Sequence, residues 1–237
     1  GYQNPLAQIV LMVCMIIPAI SAILTSFITK ENIKDLWIKP NFKNNKKIYL
    51  IAWFLPAILI VLGAGVYYLV FPSHFDLSMS TFIKLTQDQM VAMGQVAPSV
   101  EELKSLLIMQ MIIAVLLAPI LNFIACLGEE LGWRGILQPL LDKKYTYWQS
   151  NLIVGSIWGI WHLPLWFIVG ESHQGFPFIL FFIYTLFLSF VLGLLYRQTK
   201  SVGYCILFHA FANLLNLYFV LKINVIFIII FIAYLIY

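Results

Sequence analysis

The chain has 237 residues, of which 62% are hydrophobic and only 10% are charged. Water-soluble domains carry about 25% charged residues, so this composition excludes a soluble globular domain and predicts an integral membrane protein. The net charge of +4 does not indicate a nucleic-acid-binding protein, because the basic residues lie in loops between apolar runs, where positive charge orients membrane helices.

Apolar runs of about the length that crosses the hydrocarbon core predict an all-α, polytopic membrane bundle of about seven transmembrane helices, with six or eight as the alternatives. These runs lie near residues 6–28, 48–71, 105–127, 150–169, 176–196, 202–221 and 223–237. No internal repeat or linker separates them. The sequence therefore predicts a single membrane domain over residues 1–237.

The basic residues predict the orientation of this bundle in the cell membrane. Most of them lie in, or just before, the loops that follow the first, third and fifth spans. These are Lys30, Lys34, Lys39, Lys43, Lys46, Lys47, Arg134, Lys143, Lys144, Arg197 and Lys200, whereas Lys84, Lys104 and Lys222 lie on the other side. Positive loops stay in the cytoplasm, so we expect the N-terminus outside and these loops inside.

Four ionisable residues stand where the apolar pattern does not require them. Glu129 and Glu130 follow the third span, and His162 and His209 lie inside later apolar runs. A charge at the centre of a membrane helix costs about 2.5–3.5 kcal/mol on insertion scales, and such residues are functional candidates by default.

These residues lie at similar depth on separate helices. At 1.5 Å per residue, Glu129 is roughly 21 Å before Lys143, and His162 is roughly 18 Å into its span. His209 is roughly 14 Å past Lys200. The sequence therefore predicts one shared pocket that opens to the cytoplasm.

Local spacing pairs several of these side chains, because residues four apart share a helix face. Such pairs are Glu130 with Arg134, Trp158 with His162, and His209 with Asn213. Glu129 points about 100° away from Glu130. We therefore predict that Arg134 neutralises Glu130, and that Glu129 is freer for chemistry.

Two pairs of glycines at a spacing of four predict close helix packing. They are Gly128 with Gly132, and Gly155 with Gly159. Small residues at this spacing let membrane helices approach each other. The three cysteines, Cys14, Cys126 and Cys205, lie in or beside apolar runs without zinc-ligand spacing, so we interpret them as small buried hydrophobic residues.

The polar set supports hydrolytic chemistry in two forms. No serine lies in a GxSxG elbow, which is typical of hydrolases that use a serine nucleophile. A glutamate can act as general base on a water, with histidine and asparagine facing the oxyanion, and this form needs no cofactor. Alternatively, Glu129, His162 and His209 are three ligands for a divalent metal such as zinc.

Three short motifs resemble those of a known family. "EELGWR" matches EExxxR, "WGIWH" matches FxxxH with Trp158 in the Phe position, and "HAFAN" matches HxxxN. In this order on successive membrane helices, they resemble the CPBP family of CAAX proteases and bacteriocin-processing or immunity proteins, also called Abi. The resemblance covers about residues 95–215, within a catalytic core of about 95–221.

The resemblance implies an intramembrane endopeptidase, similar to the Ras-converting CAAX endopeptidase, that cleaves near the cytoplasmic membrane face. By motif, Glu129 and His162 activate the attacking water, and His209 and Asn213 stabilise the oxyanion. Glu130 and Arg134 brace the site, and Trp158 forms an aromatic wall.

The implied partners are a peptide or protein substrate at the membrane, lipidated or not, and membrane lipid. Nucleic acid is not expected. The rich use of Phe, Ile, Lys, Asn and Tyr indicates an AT-rich prokaryotic gene. The alternative function is a non-catalytic immunity or scaffold protein of the same fold. An ion carrier ranks last, since the external halves of the spans are apolar.

Overall fold

The computed structural model describes residues 4–30, 40–76, 78–92, 94, 96–175 and 177–218. Within this part the regular structure is helical and contains no strand. The α-helices are α1 (Pro5–Thr29), α2 (Phe42–Val70), α3 (Ser80–Ala92), α4 (Val100–Leu121), α5 (Phe123–Glu130), α6 (Gln138–Asp142), α7 (Tyr147–Trp161), α8 (Phe178–Thr199) and α9 (Val202–Tyr218). The all-α class predicted from composition is confirmed.

Three helices in the described part are long and apolar enough to cross a membrane. They are Pro5–Thr29, Asn45–Val70 and Phe178–Thr199, and they match the predicted spans 6–28, 48–71 and 176–196. Val202–Asn213 is a shorter apolar helix within α9. The predicted span at 223–237 and the end of the one at 202–221 lie outside the described residues.

The predicted span at 105–127 is wrong as a single helix, because the helix is interrupted at Asn122. Asn122 has φ −99° and ψ 2° and precedes the first residue of α5. Asparagine favours such positions, since its side chain competes with the helical hydrogen bonds of the backbone. The break separates the long α4 from the short α5, which ends on the two glutamates.

A π-helical segment follows α5 directly and spans Leu131–Leu137. Single π-helical turns inside α-helices are frequent at functional sites, because the wider turn changes the direction of the side chains. This segment carries Arg134 and leads into α6. The "GWRG" part of the first motif is therefore not in regular α-helix.

The predicted span at 150–169 is wrong in its second half. A capping box between Thr146 and Gln149 starts α7, which ends at Trp161, with His162 as the C-cap residue. Pro164 explains the end, since proline disfavours helical geometry in the preceding residue and lacks an amide hydrogen. The chain continues as two 3₁₀ turns, Leu163–Phe167 and Ser172–Gly175. His162 thus lies at a helix end rather than in mid-helix.

The helices pack around α9. It contacts α2, α4, α5 and α8, while α7 lies along α8 and α1 lies along α5 and the π-helical segment. The largest core cluster joins residues of α7, α8 and α9, including Trp158, Leu192 and Phe208. This arrangement places the ends of α5 and α7 beside the middle of α9, where the predicted site residues lie.

Both glycine pairs lie at close helix contacts, as predicted. A Cβ atom on Gly128 would be 2.5 Å from the Met15 carbonyl oxygen of α1, and one on Gly132 would be 2.5 Å from the Pro18 Cβ. Gly155 and Gly159 face α8 in the same way, with Ser189 Cβ at 2.9 Å and Phe182 Cδ2 at 2.6 Å. The glycines therefore hold the helices that carry the glutamates and His162.

Candidate active site

Glu130 is at the centre of a buried charged network. Its Oε1 atom accepts a hydrogen bond from Arg134 Nη1 at 3.0 Å. The same oxygen accepts a second one from His209 Nδ1 at 2.9 Å. Glu130 and Arg134 are 0% exposed, so the carboxylate and the guanidinium offset each other's loss of hydration. The predicted Glu130–Arg134 pair is confirmed, and His209 joins it from α9.

Glu129 lies beside this network but has a different partner. Its Oε2 atom accepts a hydrogen bond from Trp158 Nε1 across the interface between α5 and α7. Its side chain is 1% exposed, and its Oε1 atom has no hydrogen-bond partner among the described residues. A buried carboxylate oxygen without a donor is rare in proteins. Glu129 is thus held by one oxygen and leaves the other available.

Trp158 connects most of the predicted residues. Its indole ring lies edge-on to His209, with centroids 5.0 Å apart, and to His162 at 6.2 Å. The Arg134 guanidinium carbon is 4.9 Å from the ring centroid, a cation–π distance. The motif resemblance implies that Trp158 forms an aromatic wall, and it does not indicate the indole N–H as a donor to Glu129. The signal that could have indicated this donor is that a buried Trp usually finds a hydrogen-bond acceptor.

His162 is held through the backbone of α7. Its Nδ1 atom is 2.9 Å from the Trp158 carbonyl oxygen. A carbonyl only accepts, so Nδ1 carries the hydrogen and Nε2 of the neutral ring has the lone pair. The ring also packs against Phe181 of α8, with centroids 5.1 Å apart. Phe181 is a site neighbour that the motifs did not indicate.

Asn213 lies one turn after His209 on α9. Its Nδ2 atom donates to the sulfur of Cys126 at 3.7 Å, within the range for hydrogen bonds to sulfur. Cys126, which the apolar pattern predicts to be a small buried residue, is 0% exposed. Its polar contact with Asn213 was not predicted.

The three residues of the alternative zinc set are not grouped as a metal site. Within the described part of the chain, no three His, Cys, Asp or Glu side chains are close enough together to hold a metal ion. Glu129, His162 and His209 all belong to that part. His209 Nδ1 binds Glu130, and His162 Nδ1 lies at the Trp158 carbonyl oxygen, so each ring has only its Nε2 atom left for another partner.

The structure thus brings the seven predicted residues into one connected group. Hydrogen bonds and ring contacts join Glu129, Glu130, Arg134, Trp158 and His209 directly. His162 is attached through the Trp158 carbonyl group. Asn213 is attached through Cys126 on α5. The arrangement suits proton transfer at Glu129 beside donors from α9.

Comparison with known families covers the same part of the chain. A family profile described as Type II CAAX prenyl endopeptidase Rce1-like matches residues 104–215. Residues 104–215 are therefore similar in sequence to Rce1-like endopeptidases. The resemblance drawn from the three motifs is confirmed, and the Rce1-like segment contains the whole group of seven residues.

Two curated relatives match parts of this segment. The chain is 30% identical over 101 residues to CAAX prenyl protease 2 of Methanococcus maripaludis, which is 40% of this chain and 37% of the relative. It is 31% identical over 83 residues to lysostaphin resistance protein A of Staphylococcus haemolyticus, which is 34% of this chain and 21% of the relative. The match thus covers well under half the length of either relative.

Proposed function

We propose that this chain is an intramembrane endopeptidase that hydrolyses a peptide bond with a water activated by Glu129 and His162. The observation that carries the proposal is the contrast between two adjacent buried glutamates. Glu130 is neutralised by Arg134 and bonded to His209, whereas the hydrogen bond that the structure gives Glu129 comes from the neutral Trp158 indole. Each carboxylate keeps one oxygen without a donor among the described residues, but only that of Glu129 belongs to a carboxylate with no cation bound to it. The name of the archaeal relative, CAAX prenyl protease 2, supports the same reaction class.

The first step is attack of water on the peptide carbonyl carbon. Glu129 Oε1 takes a proton from the water, while the Trp158 indole holds the other oxygen in place. His162 Nε2, the ring atom with the lone pair, helps to orient the same water. General-base catalysis of this kind contributes about 10²–10⁴-fold.

The second step is collapse of the tetrahedral intermediate. Its oxyanion accepts hydrogen bonds from Asn213 Nδ2 and from Nε2 of His209, which takes part in this proposal as an imidazolium protonated on both ring nitrogens before the reaction and balanced by Glu130. The carbon–nitrogen bond then breaks, and Glu129 returns its proton to the leaving amine. Arg134 and Glu130 keep His209 in this position.

The substrate of this reaction is a peptide or protein segment at the membrane, with or without a lipid anchor. The apolar helices around the site restrict access to chains that enter the bilayer or lie at its surface. The distribution of basic residues supports a site in the cell membrane that opens to the cytoplasm. No metal takes part in this mechanism.

The proposal is tested by comparing membranes from cells that carry the wild-type protein or Glu129→Gln. The amide keeps an oxygen for the Trp158 indole but cannot accept the proton, so we expect a precursor to accumulate and its product to disappear. Glu101→Gln is the control, because the Glu101 side chain is 84% exposed at the start of α4. Identical peptide profiles for wild type and Glu129→Gln would overturn the proposal.

A second function, resistance or immunity without cleavage, is favoured by the similarity to lysostaphin resistance protein A. A protein of this kind needs the fold but not the proton acceptor. If Glu129→Gln retains a protective phenotype in full while Gly132→Ala, which disturbs packing against Pro18, removes it, the non-catalytic function is the correct one. Loss of protection in Glu129→Gln supports the endopeptidase.

A further inference from the structure

Cys126 is a buried nucleophilic group that the proposed mechanism does not use. It lies on α5, one turn before Glu129 and Glu130, and is 0% exposed. A buried free cysteine usually behaves as a small apolar residue with weak hydrogen-bonding ability. Here the sulfur has a specific polar neighbour on another helix, which an apolar residue could not bind.

That neighbour is the side-chain amide of Asn213. Its Nδ2 atom donates to Cys126 Sγ at 3.7 Å. This hydrogen bond joins α9 to α5, through two residues that are 87 positions apart in the sequence. An asparagine amide has two N–H groups on one nitrogen. When one of them binds the sulfur, the plane of the amide is fixed and the second has a defined direction.

We propose that Cys126 is a positioning residue for Asn213, in that its thiol orients the amide that faces the oxyanion. This inference rests on the proposed function, since it deepens the role of Asn213 in the same site. An oxyanion donor is effective only when it already points at the oxygen that develops charge. Small misplacements of such a group cost up to about 100-fold in rate.

The inference predicts a specific kinetic effect of Cys126→Ala in the full-length protein. Without the thiol, the Asn213 amide rotates freely, so we expect kcat to fall about tenfold while KM changes less than about twofold, because the oxyanion exists only in the transition state. Cys126→Ser keeps an acceptor of similar size and should recover most of kcat. The substrate is the precursor peptide identified with Glu129→Gln.

Cys205→Ala is the matched control. Cys205 is also 0% exposed and lies one turn before His209, but its thiol donates to the Leu192 carbonyl oxygen at 3.4 Å and not to a site residue. The two alanine variants therefore remove the same group from equally buried positions. We expect kcat of Cys205→Ala to equal that of wild type, measured on the folded fraction of each protein.

A double-mutant cycle with Asn213→Ala closes the test. If the thiol acts through Asn213, Cys126→Ala lowers kcat in the wild-type background and has no further effect in the Asn213→Ala background. Equal losses in both backgrounds, or an unchanged kcat in Cys126→Ala, would overturn the inference while leaving the endopeptidase intact. A wild-type protein without peptidase activity would instead overturn the proposed function.

Discussion

At the scale of single residues, the two adjacent glutamates Glu129 and Glu130 have different hydrogen-bond partners. Glu129 and Glu130 are both buried, yet one receives the Trp158 indole and the other receives Arg134 and His209. Their side chains point about 100° apart on the helix, so each faces a different neighbouring helix. This division gives Glu130 a contact with a cation and gives Glu129 a contact with a neutral indole, which is why the proposed mechanism assigns the proton transfer to Glu129.

We expect Arg134→Met to destabilise the protein by about 3–5 kcal/mol, since removing one partner of a buried ion pair leaves an uncompensated charge. The unfolding free energy in mild detergent measures this loss. Arg197→Met is the control, because the Arg197–Asp142 pair is 3.8 Å apart and the Arg197 side chain is 43% exposed. Such a pair contributes about 0–1 kcal/mol. Equal losses of unfolding free energy in Arg134→Met and Arg197→Met would show that the buried Glu130–Arg134 pair is no more important for stability than an exposed pair.

At the scale of helices, glycine contacts decide how closely the site-bearing elements approach. Gly132 lies in the π-helical segment against Pro18 of α1, and Gly128 lies on α5 against Met15. A side chain at either position meets backbone atoms, which cannot move aside as a flexible side chain can. The position of the glutamates therefore depends on α1, which carries none of the proposed catalytic residues.

Gly132→Ala is expected to cost about 1–3 kcal/mol through overpacking and to lower peptidase activity by shifting α5. Gly65→Ala on α2 is the matched control, because a Cβ atom there has no neighbour within 4 Å. Alanine is favoured over glycine in helices by up to about 1 kcal/mol, so the control should be neutral or stabilising. The unfolding temperature and the peptidase activity of both variants are measured. Equal values for Gly132→Ala and Gly65→Ala would show that Gly132 is not in a close contact.

The start of α4 contains a pH-dependent cap outside the apolar part of the helix. The hydroxyl and the amide of Ser99 both donate to Glu102, at 2.7 and 2.9 Å. These bonds, the hydroxyl first, hold the pKa of Glu102 below its ordinary value. The cap stabilises the start of α4 fully when the pH is above the ordinary pKa of a glutamate. This stabilisation is lost as the pH falls through the lowered pKa of Glu102.

Hydrogen exchange of the first amides of α4 should therefore become faster, after correction for intrinsic rates, as the pH falls from 6 to about 3. Glu102→Gln removes the carboxylate and should abolish this dependence. Glu101→Gln, at an exposed neighbouring position, should keep it. A pH dependence that persists in Glu102→Gln would assign it to another group.

At the scale of the whole molecule, long apolar helices surround a small polar group. Water is scarce in such surroundings, so every buried polar atom needs a partner inside the protein. Several buried site atoms have no hydrogen-bond partner among the described residues, namely Glu129 Oε1, Glu130 Oε2, and Arg134 Nε and Nη2. The Rce1-like segment contains this group, while α1 supports it from outside the segment.

Protein purified without a metal-binding tag should contain less than one zinc per chain and keep its activity after dialysis against a chelator. The reason is that Glu129, His162 and His209 do not form a ligand group in the described part of the chain. Elemental analysis and peptide cleavage before and after dialysis measure the outcome. One tightly bound zinc per chain, whose removal abolishes cleavage, would favour the metallopeptidase mechanism instead.

The membrane class, several helix positions and the seven candidate residues that the structure connects could be predicted from the sequence. The hydrophobic effect acts on each segment separately, so hydropathy alone indicates which runs enter the bilayer. The Glu130–Arg134 pair was predictable too, because both residues lie on one helical stretch at a spacing of four. The predicted helix at 150–169 is wrong beyond Trp161, because Pro164 ends the helix in spite of the apolar composition that follows.

Only the tertiary structure decided which side chains meet across helices. The Trp158–Glu129, His209–Glu130 and Asn213–Cys126 contacts join residues 29, 79 and 87 positions apart. Contacts at such separations depend on the crossing and rotation of packed helices, and the pattern along one helix does not contain that information. For the same reason the sequence could not indicate that His209 meets Glu130 and that Trp158 meets Glu129, which only the packing of the helices decides.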